Sequence, residues 1–282
     1  MRLLEKNVEL LSLGQVGMLS DTENTINEIL AHPYGLFLVT GPTGSGKTTT
    51  LYSVLDKLRS PTANVITIED PVEYRVSGVG QIQVNEKIGL TFASGLRSVL
   101  RQDPDVLMVG EIRDPETAEI AVHAALTGHM VLSTLHTNDA PAAAIRMVDL
   151  GVPSYLLSSC LVGVLAQRLV RRLCMDCRKP IDLTDADTKR LGLRSDLAGR
   201  QVYDPGGCEK CLQTGYLGRT GVFELMNVGE ELASQIARSD DTRELRVSAR
   251  KAGMRTLMED AARKVVQGST SREEAFRVTK AI

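Results

Sequence analysis

A glycine-rich motif at residues 41–48 constrains the fold of this chain more than any other feature. It reads Gly-Pro-Thr-Gly-Ser-Gly-Lys-Thr and fits the pattern G-x-x-x-x-G-K-[ST] without a gap. Residues 36–40 form an apolar run typical of a strand, and residues 49–58 carry leucines and valine at helical spacing. Glycines let backbone N–H groups converge on an anion, and the helix that follows adds the positive end of its dipole. The pattern therefore predicts a strand, a phosphate-binding loop and a helix in succession.

Within this phosphate loop, two side chains have distinct expected roles. Lys47 is expected to reach the β- and γ-phosphates of a nucleotide, which makes it a candidate catalytic residue, and Thr48 is expected to offer its hydroxyl to Mg²⁺. The other predicted nucleotide contacts are Gly41, Pro42, Thr43, Gly44, Ser45, Gly46 and Thr49.

Acidic residues follow two further apolar runs, residues 64–68 and 106–110. The acids are Glu69, Asp70 and Glu73 after the first run and Glu111 after the second. The carboxyl ends of parallel strands meet at one sheet edge, so we expect these carboxylates beside the phosphate loop. There they could bind Mg²⁺ or orient the attacking water. For residues 69–73, a solvated acidic turn is the alternative interpretation.

The rest of the chain alternates between helical and strand-like segments, which predicts an α/β fold built on a parallel sheet. We expect a strand at residues 128–134 and a small hairpin at residues 76–84. Helices are expected at residues 21–31, 91–101, 115–127, 140–150 and 154–170, and residues 240–282 are expected to be helical and amphipathic.

Two histidines lie at the ends of the predicted strand at residues 128–134. His136 follows its end, on the same edge as the acids, where it could hydrogen-bond a terminal phosphate. A buried structural histidine is the alternative. His129 lies at the start of the strand and therefore belongs to the opposite edge of the sheet.

Four cysteines form two C-x-x-C pairs, which predicts a metal centre. They are Cys174, Cys177, Cys208 and Cys211. Two such pairs can close a tetrahedral S₄ site for Zn²⁺, and four sulfur ligands leave no open position, so the metal is expected to be structural. A redox-active C-x-x-C is the alternative interpretation, although it would need only one pair. The fifth cysteine, Cys160, lies in an apolar segment and is expected to be a buried thiol.

Composition argues against a nucleic-acid partner. The formal net charge is −2, there is no Trp, and aromatic residues make up 4% of the chain, so neither a basic footprint nor a stacking platform is indicated. Residues 150–167 are free of charge, but their Pro, Gly and Ser content favours a buried helix over a membrane span. The charged first six residues do not resemble a secretory signal, so we expect a cytosolic protein.

Four motifs together resemble the hexameric secretion ATPases that drive type II secretion and type IV pilus assembly. The motifs are residues 41–48, 67–73, 100–114 and 127–137, and the run 100–114 is the most specific. The two C-x-x-C pairs resemble the type II secretion and pilus-extension branches. The resemblance implies a RecA-like P-loop NTPase domain with a small zinc-binding tetracysteine module and C-terminal helices. It also implies ATP and Mg²⁺ as cofactors, a homo-hexamer, and inner-membrane platform proteins as partners at the cytoplasmic face of the membrane.

The resemblance also implies residue roles. Glu111 takes the Walker B position; Glu69, Asp70 and Glu73 form an aspartate box; and His129 and His136 form a histidine box. Glu73 and Glu111 are both candidates for the acid that activates water. The family supplies further arginines from an N-terminal domain, of which Arg2 is a possible remnant.

The predicted organisation has four parts. Residues 1–20 are a linker or the remnant of an N-terminal domain, residues 21–170 the ATPase core, residues 171–222 the tetracysteine module, and residues 223–282 a C-terminal helical segment. Two other functions are compatible with the motifs: a P-loop ATPase that translocates nucleic acid, and a module whose nucleotide switches a binding surface without appreciable turnover.

Overall fold

A computed structural model of the chain describes residues 10–238 and 241–279. Arg2 and the other residues of the predicted N-terminal remnant up to residue 9 lie outside the described residues.

The strands are β1 (Gly35–Thr40), β2 (Val65–Glu69), β3 (Gly80–Gln83), β4 (Val106–Val109), β5 (Met130–Leu135), β6 (Leu161–Leu173), β7 (Lys179–Asp182), β8 (Gln201–Asp204) and β9 (Tyr216–Asn227). The helices are α1 (Ser20–Leu30), α2 (Lys47–Leu58), α3 (Phe92–Val99), α4 (Pro115–Leu126), α5 (Ala140–Asp149), α6 (Ser154–Cys160), α7 (Asp185–Leu191), α8 (Glu230–Arg238), α9 (Thr242–Lys251), α10 (Leu257–Val266) and α11 (Arg272–Thr279).

Seven of the described strands form one sheet, in the order β3-β2-β4-β5-β1-β6-β9. Neighbours from β3 to β6 pair in parallel, and only β9 is antiparallel to its partner. Every residue of β1, β4 and β5 is buried, as expected for parallel strands covered by helices on both faces. The predicted α/β class is confirmed, and the carboxyl ends of six neighbouring parallel strands lie along one edge.

The predicted helix at residues 154–170 is wrong. Only α6, Ser154–Cys160, is helical, and β6 begins at Leu161 between β1 and β9. Most of β6 within the sheet is buried on both faces, so its sequence is a nearly continuous apolar run without alternation. Such a run cannot be distinguished from a buried helix by periodicity alone.

The predicted hairpin at residues 76–84 is also wrong. Within it only Gly80–Gln83 is extended, and this strand, β3, pairs in parallel with β2 at the edge of the sheet. The glycines at 78 and 80 mark the end of a crossover loop, residues 70–79. This loop carries two of the predicted site acids, Asp70 and Glu73.

The tetracysteine region emerges from the long β6–β9 pair. Cys174 follows β6, Gly215 precedes β9, and the Cys174 N–H donates to Gly215 O at 2.9 Å. The segment between these two residues therefore begins and ends at the same place, where the β6–β9 pairing stops. It contains α7 and the β7–β8 pair, and its buried Leu191 and Val202 belong to one apolar cluster with residues of α10 and α11. The predicted module boundaries at residues 170/171 and 222/223 fall inside β6 and β9, and the division into four parts stays a prediction.

The described C-terminal region is helical, as predicted. Helices α9, α10 and α11 follow one another, and α8 precedes them. Among residues 10–238 and 241–279, no helix has both the length and the apolar character that a bilayer crossing requires.

Candidate nucleotide site and tetracysteine centre

The phosphate loop connects β1 to α2, as its sequence predicts. Gly46 directly precedes α2 with φ of +90°, a left-handed conformation that favours glycine. A Cβ on Gly46 would lie 2.8 Å from Gln167 Nε2, and one on Gly41 would lie 2.3 Å from the Gln167 carbonyl oxygen. Glycine is therefore required at both positions by backbone conformation and by the close approach of β6.

Two side chains of the loop are suited to binding an anion. The Ser45 hydroxyl is buried and has no hydrogen-bond partner among the described residues. Lys47 is also buried, and its Nζ donates to the carbonyl oxygens of Gly41 at 2.8 Å and Pro42 at 3.2 Å. Burial lowers the pKa of Lys47, and the nearby Glu111 carboxylate partly offsets that shift. A buried ammonium held mainly by carbonyls would gain from an anion in the loop. Thr48 is exposed at the start of α2.

Glu111 and His136 meet at the carboxyl edge of the sheet. His136 Nε2 lies 3.4 Å from one Glu111 carboxylate oxygen, and Arg113 pairs with the other. The Glu111 side chain is 12% exposed, whereas His136 is about half exposed. The structure thus brings together the phosphate loop, the acid after β4 and the histidine after β5. His129 lies at the opposite edge, where its Nδ1 is 2.8 Å from Ala124 O.

The acids after β2 occupy three different environments. Glu69 is buried and accepts hydrogen bonds from Tyr52, Thr67 and Gln81. Asp70 is exposed and precedes a cis peptide bond, and Glu73 is partly buried in the loop that follows.

Sequence analysis missed the residues of β6 that line the phosphate loop. A cavity of about 240 Å³ lies against the loop and is also lined by Arg168, Leu169 and Arg277. Arg168 is buried, and its Nε has no hydrogen-bond partner among the described residues. The basic residue at 168 is visible in the sequence, but its place beside the loop depends on β6 being a strand.

The four paired cysteines lie together as predicted, with their sulfurs all within 4.8 Å of one another. The Cys174–Cys208, Cys177–Cys211 and Cys208–Cys211 Sγ distances are 3.8, 3.7 and 3.7 Å. A tetrahedral site with metal–sulfur bonds of about 2.3 Å has sulfur–sulfur edges of about 3.8 Å, whereas a disulfide is about 2.05 Å long. The sulfurs therefore have the spacing of an S₄ metal centre.

Backbone donors support a thiolate at this centre. The N–H groups of Cys208 and Gly215 donate to Cys211 Sγ at 3.3 and 3.2 Å. Burial alone would raise the pKa of Cys211, but these hydrogen bonds outweigh it and hold the pKa at about 6. A deprotonated sulfur is the form that binds a metal. Cys160 is outside this centre and is buried as predicted, and burial raises the pKa of its thiol to about 12.

Together, the strand order and the phosphate loop define a RecA-like P-loop NTPase fold. A solved structure described as the pilus retraction motor PilT with bound ADP matches it with a TM-score of 0.72, at 30% identity over 97% of this chain and 68% of that chain. The chain belongs to the family described as type II/IV secretion system protein, whose model matches residues 1–277. This confirms the family indicated by the four motifs.

Relatives within this family come from both secretion and pilus systems. The type II secretion system protein E of Dickeya dadantii is 50% identical over 281 residues, which cover 99% of this chain and 55% of that protein. The type IV pilus assembly ATPase PilB of Thermus thermophilus is 46% identical over 99% of this chain and 32% of that protein. The chain thus spans about half the length, or less, of these relatives.

Proposed function

We propose that this chain hydrolyses ATP as the motor part of a type II secretion or type IV pilus assembly machine. The observation that carries the proposal is the convergence of three groups at one sheet edge: the phosphate loop with its buried Lys47, the Glu111 carboxylate, and His136 at 3.4 Å from that carboxylate. An anion loop, an acid and a polar group at one edge are what phosphoryl transfer requires.

In the proposed mechanism, Lys47 binds the β- and γ-phosphate oxygens instead of the loop carbonyls that it contacts here. The Thr48 hydroxyl and the Glu111 carboxylate would hold Mg²⁺, which would supply positive charge to offset the charge that develops on the phosphates. His136 orients the Glu111 carboxylate and hydrogen-bonds toward the terminal phosphate. Glu73 orients the attacking water. The other loop residues from 41 to 49, apart from Pro42, which has no N–H, contribute backbone N–H donors, and Asp70 is assigned to the rim of the site.

We also propose that the tetracysteine centre holds Zn²⁺. The 3.7–3.8 Å sulfur spacing and the N–H donors on Cys211 support a tetrahedral thiolate site. Four sulfur ligands leave no open position, so the metal would fix the segment between β6 and β9 and supply no chemistry. The proposal therefore assigns the two C-x-x-C pairs a structural role and not a redox role.

The active assembly is proposed to be a homo-hexamer in the cytoplasm, bound to inner-membrane platform proteins of the secretion or pilus machine. Relatives named as a secretion protein and as a pilus assembly ATPase support this assignment, as does the likeness to a pilus motor. Nucleic acid is not proposed as a partner because the formal net charge is only −2.

The test measures the ATPase rate against protein concentration, with the mass of the same samples by light scattering. We expect a rate per subunit that rises as hexamers form, since ring motors complete their sites at subunit interfaces. Lys47→Ala should abolish turnover, and Lys87→Ala, which changes an exposed lysine, should not. Equal rates in wild type and Lys47→Ala would overturn the proposed site.

A second arm of the test concerns the partner class. Addition of single- or double-stranded DNA should leave the rate unchanged. Stimulation by DNA would favour a nucleic-acid translocase, and nucleotide binding without turnover in the assembled ring would favour a switch.

A further inference from the structure

A buried carboxylate lies beneath the acidic loop at residues 70–79. Glu69 is 3% exposed. Its Oε1 accepts hydrogen bonds from Thr67 Oγ1 at 2.6 Å and Gln81 Nε2 at 3.0 Å, and its Oε2 accepts one from the Tyr52 hydroxyl. Both carboxylate oxygens are therefore engaged by neutral donors. Losing any of these donors would leave a buried carboxylate oxygen short of a hydrogen-bond partner, so the three donors hold Glu69 in this place.

Gln81 connects this carboxylate to the loop. Its Nε2 also donates to the Tyr74 carbonyl at 3.2 Å, and its Oε1 accepts from the Val76 N–H at 2.8 Å. The amide orientation follows from these partners, because two acceptors face the nitrogen and one donor faces the oxygen. Gln81 therefore holds the loop backbone at two points shortly after Glu73.

Two further contacts hold the same loop. The Val72 N–H donates to Gln83 Oε1 at 3.3 Å, just before Glu73. The Tyr74 ring packs edge-on against the Tyr52 ring, with centroids 4.5 Å apart and planes at 79°. Tyr52 belongs to α2, the helix that follows the phosphate loop. The segment around Glu73 is thus tied both to the edge strand β3 and to the phosphate-loop helix.

We propose that Gln81, acting with Tyr52 and Glu69, positions the Glu73 carboxylate for ATP hydrolysis. This inference rests on the proposed function and deepens it. Both Glu69 oxygens already accept hydrogen bonds from Tyr52, Thr67 and Gln81. Glu69 is therefore a positioning residue and not a nucleotide contact. Since Tyr52 lies on α2, the network keeps Glu73 at a fixed position relative to the phosphate loop. A misplacement of about 1 Å can cost roughly 100-fold in rate, so a weakened network should lower kcat.

The kinetic test is a double-mutant cycle on the full chain, using Gln81→Leu, Glu73→Gln and both together. We expect Gln81→Leu to lower kcat by roughly 100-fold and to leave KM for ATP nearly unchanged, because Lys47 is not touched. In the Glu73→Gln background, Gln81→Leu should cause little further loss. Independent, multiplicative losses would overturn the proposal, as would a Glu73→Gln variant with wild-type kcat. Tyr52→Phe, which keeps the ring and removes one hydroxyl, should give a smaller loss of the same kind.

Amide hydrogen exchange tests the same network without ATP turnover. Gln81→Leu should speed exchange at Val76, whose N–H donates to Gln81 Oε1, and should leave β1 and α2 protected. The matched control is Gln201→Leu, which changes an exposed glutamine on β8. Unchanged exchange at Val76 in Gln81→Leu would overturn the positioning role even if the protein is an active ATPase. If Lys47→Ala kept the wild-type ATPase rate, by contrast, the proposed function would be overturned and the exchange result would still stand.

Discussion

Glu274 offers the most quantitative test of how α11 is held against the sheet. Its side chain is fully buried, and its carboxylate accepts hydrogen bonds from Arg171 of β6 and Arg277 of α11. The Arg171 backbone N–H donates to it as well, at 3.0 Å. Burial alone would raise the pKa of Glu274, but the two guanidinium groups outweigh burial and hold it at about 2.

The contribution of Glu274 to the free energy of unfolding follows from that shift in pKa. A fall from 4.5 to about 2 corresponds to an upper bound of about 3 kcal/mol in favour of the folded state. The side chains of Arg171 and Arg277 are 47% and 60% exposed, so water screens the pairs. We therefore take about half of that bound, or roughly 1–2 kcal/mol, as the contribution at pH 7.

The expected effect of Glu274→Gln depends on pH. The pKa of the carboxyl is lower in the folded state, so its stabilisation is complete above about pH 4.5 and is lost as the pH falls toward 2. Glu274→Gln should therefore lower the free energy of unfolding by roughly 1–2 kcal/mol at pH 7 and by less than half of that at pH 3. Urea titrations followed by circular dichroism at pH 7, 4 and 3 measure both values.

The matched control is Glu273→Gln, which changes the exposed neighbouring residue and should have little effect at any of these pH values. A Glu274→Gln deficit of the same size at pH 3 and pH 7 would refute the electrostatic reasoning, because at pH 3 the unfolded chain takes up a proton on Glu274 and the advantage of the ionised folded state must be smaller. It would point instead to a loss of packing.

Three further predictions concern other parts of the chain. Cys208→Ser should abolish stoichiometric zinc in elemental analysis and expose the segment between β6 and β9 to limited proteolysis; one zinc per chain in the variant would contradict the proposed ligand set. Gly41→Ala places a Cβ 2.3 Å from the Gln167 carbonyl oxygen, so the resulting strain, about 1–3 kcal/mol, should weaken ATP binding in calorimetry; unchanged affinity would argue against the loop as the phosphate site. Lys264→Met removes the partner of Asp260 from a buried pair at 2.5 Å and should lower the free energy of unfolding by about 3–5 kcal/mol; a loss below about 1 kcal/mol in urea titration would show that the pair is effectively solvated.

The nucleotide edge of the sheet can be predicted from sequence because the relevant signals are local. Each of β1, β2, β4 and β5 is a short apolar run, and polar residues follow directly where each strand ends. Parallel pairing then brings those ends together without further information. Glu111 and His136 meet for this reason, although they are far apart in the chain. The tetracysteine centre is predictable in the same way, because two C-x-x-C pairs have few other uses.

The missed features depend on tertiary pairing. Gln167 packs on the phosphate loop only because β6 is inserted between β1 and β9, and nothing in its apolar sequence reveals those neighbours. Valines at 162, 164 and 170 are the residues that could have indicated a strand. Gln81 was missed because β3 lies at the edge of the sheet and pairs in parallel with β2. Polar residues at 81 and 83, on one face of an extended segment, are the only local sign of that role.

The single entry point of the tetracysteine segment bears on how such a chain can change length during evolution. Cys174 and Gly215 are hydrogen-bonded to each other directly beyond the paired ends of the antiparallel strands β6 and β9, so the segment between them is an insertion into one hairpin. Its expansion, replacement or deletion would leave every strand pairing of the seven-stranded sheet intact. A chain that lost the insertion would need only a tight turn there, together with polar substitutions at Val170 and Phe276, which the insertion now helps to bury.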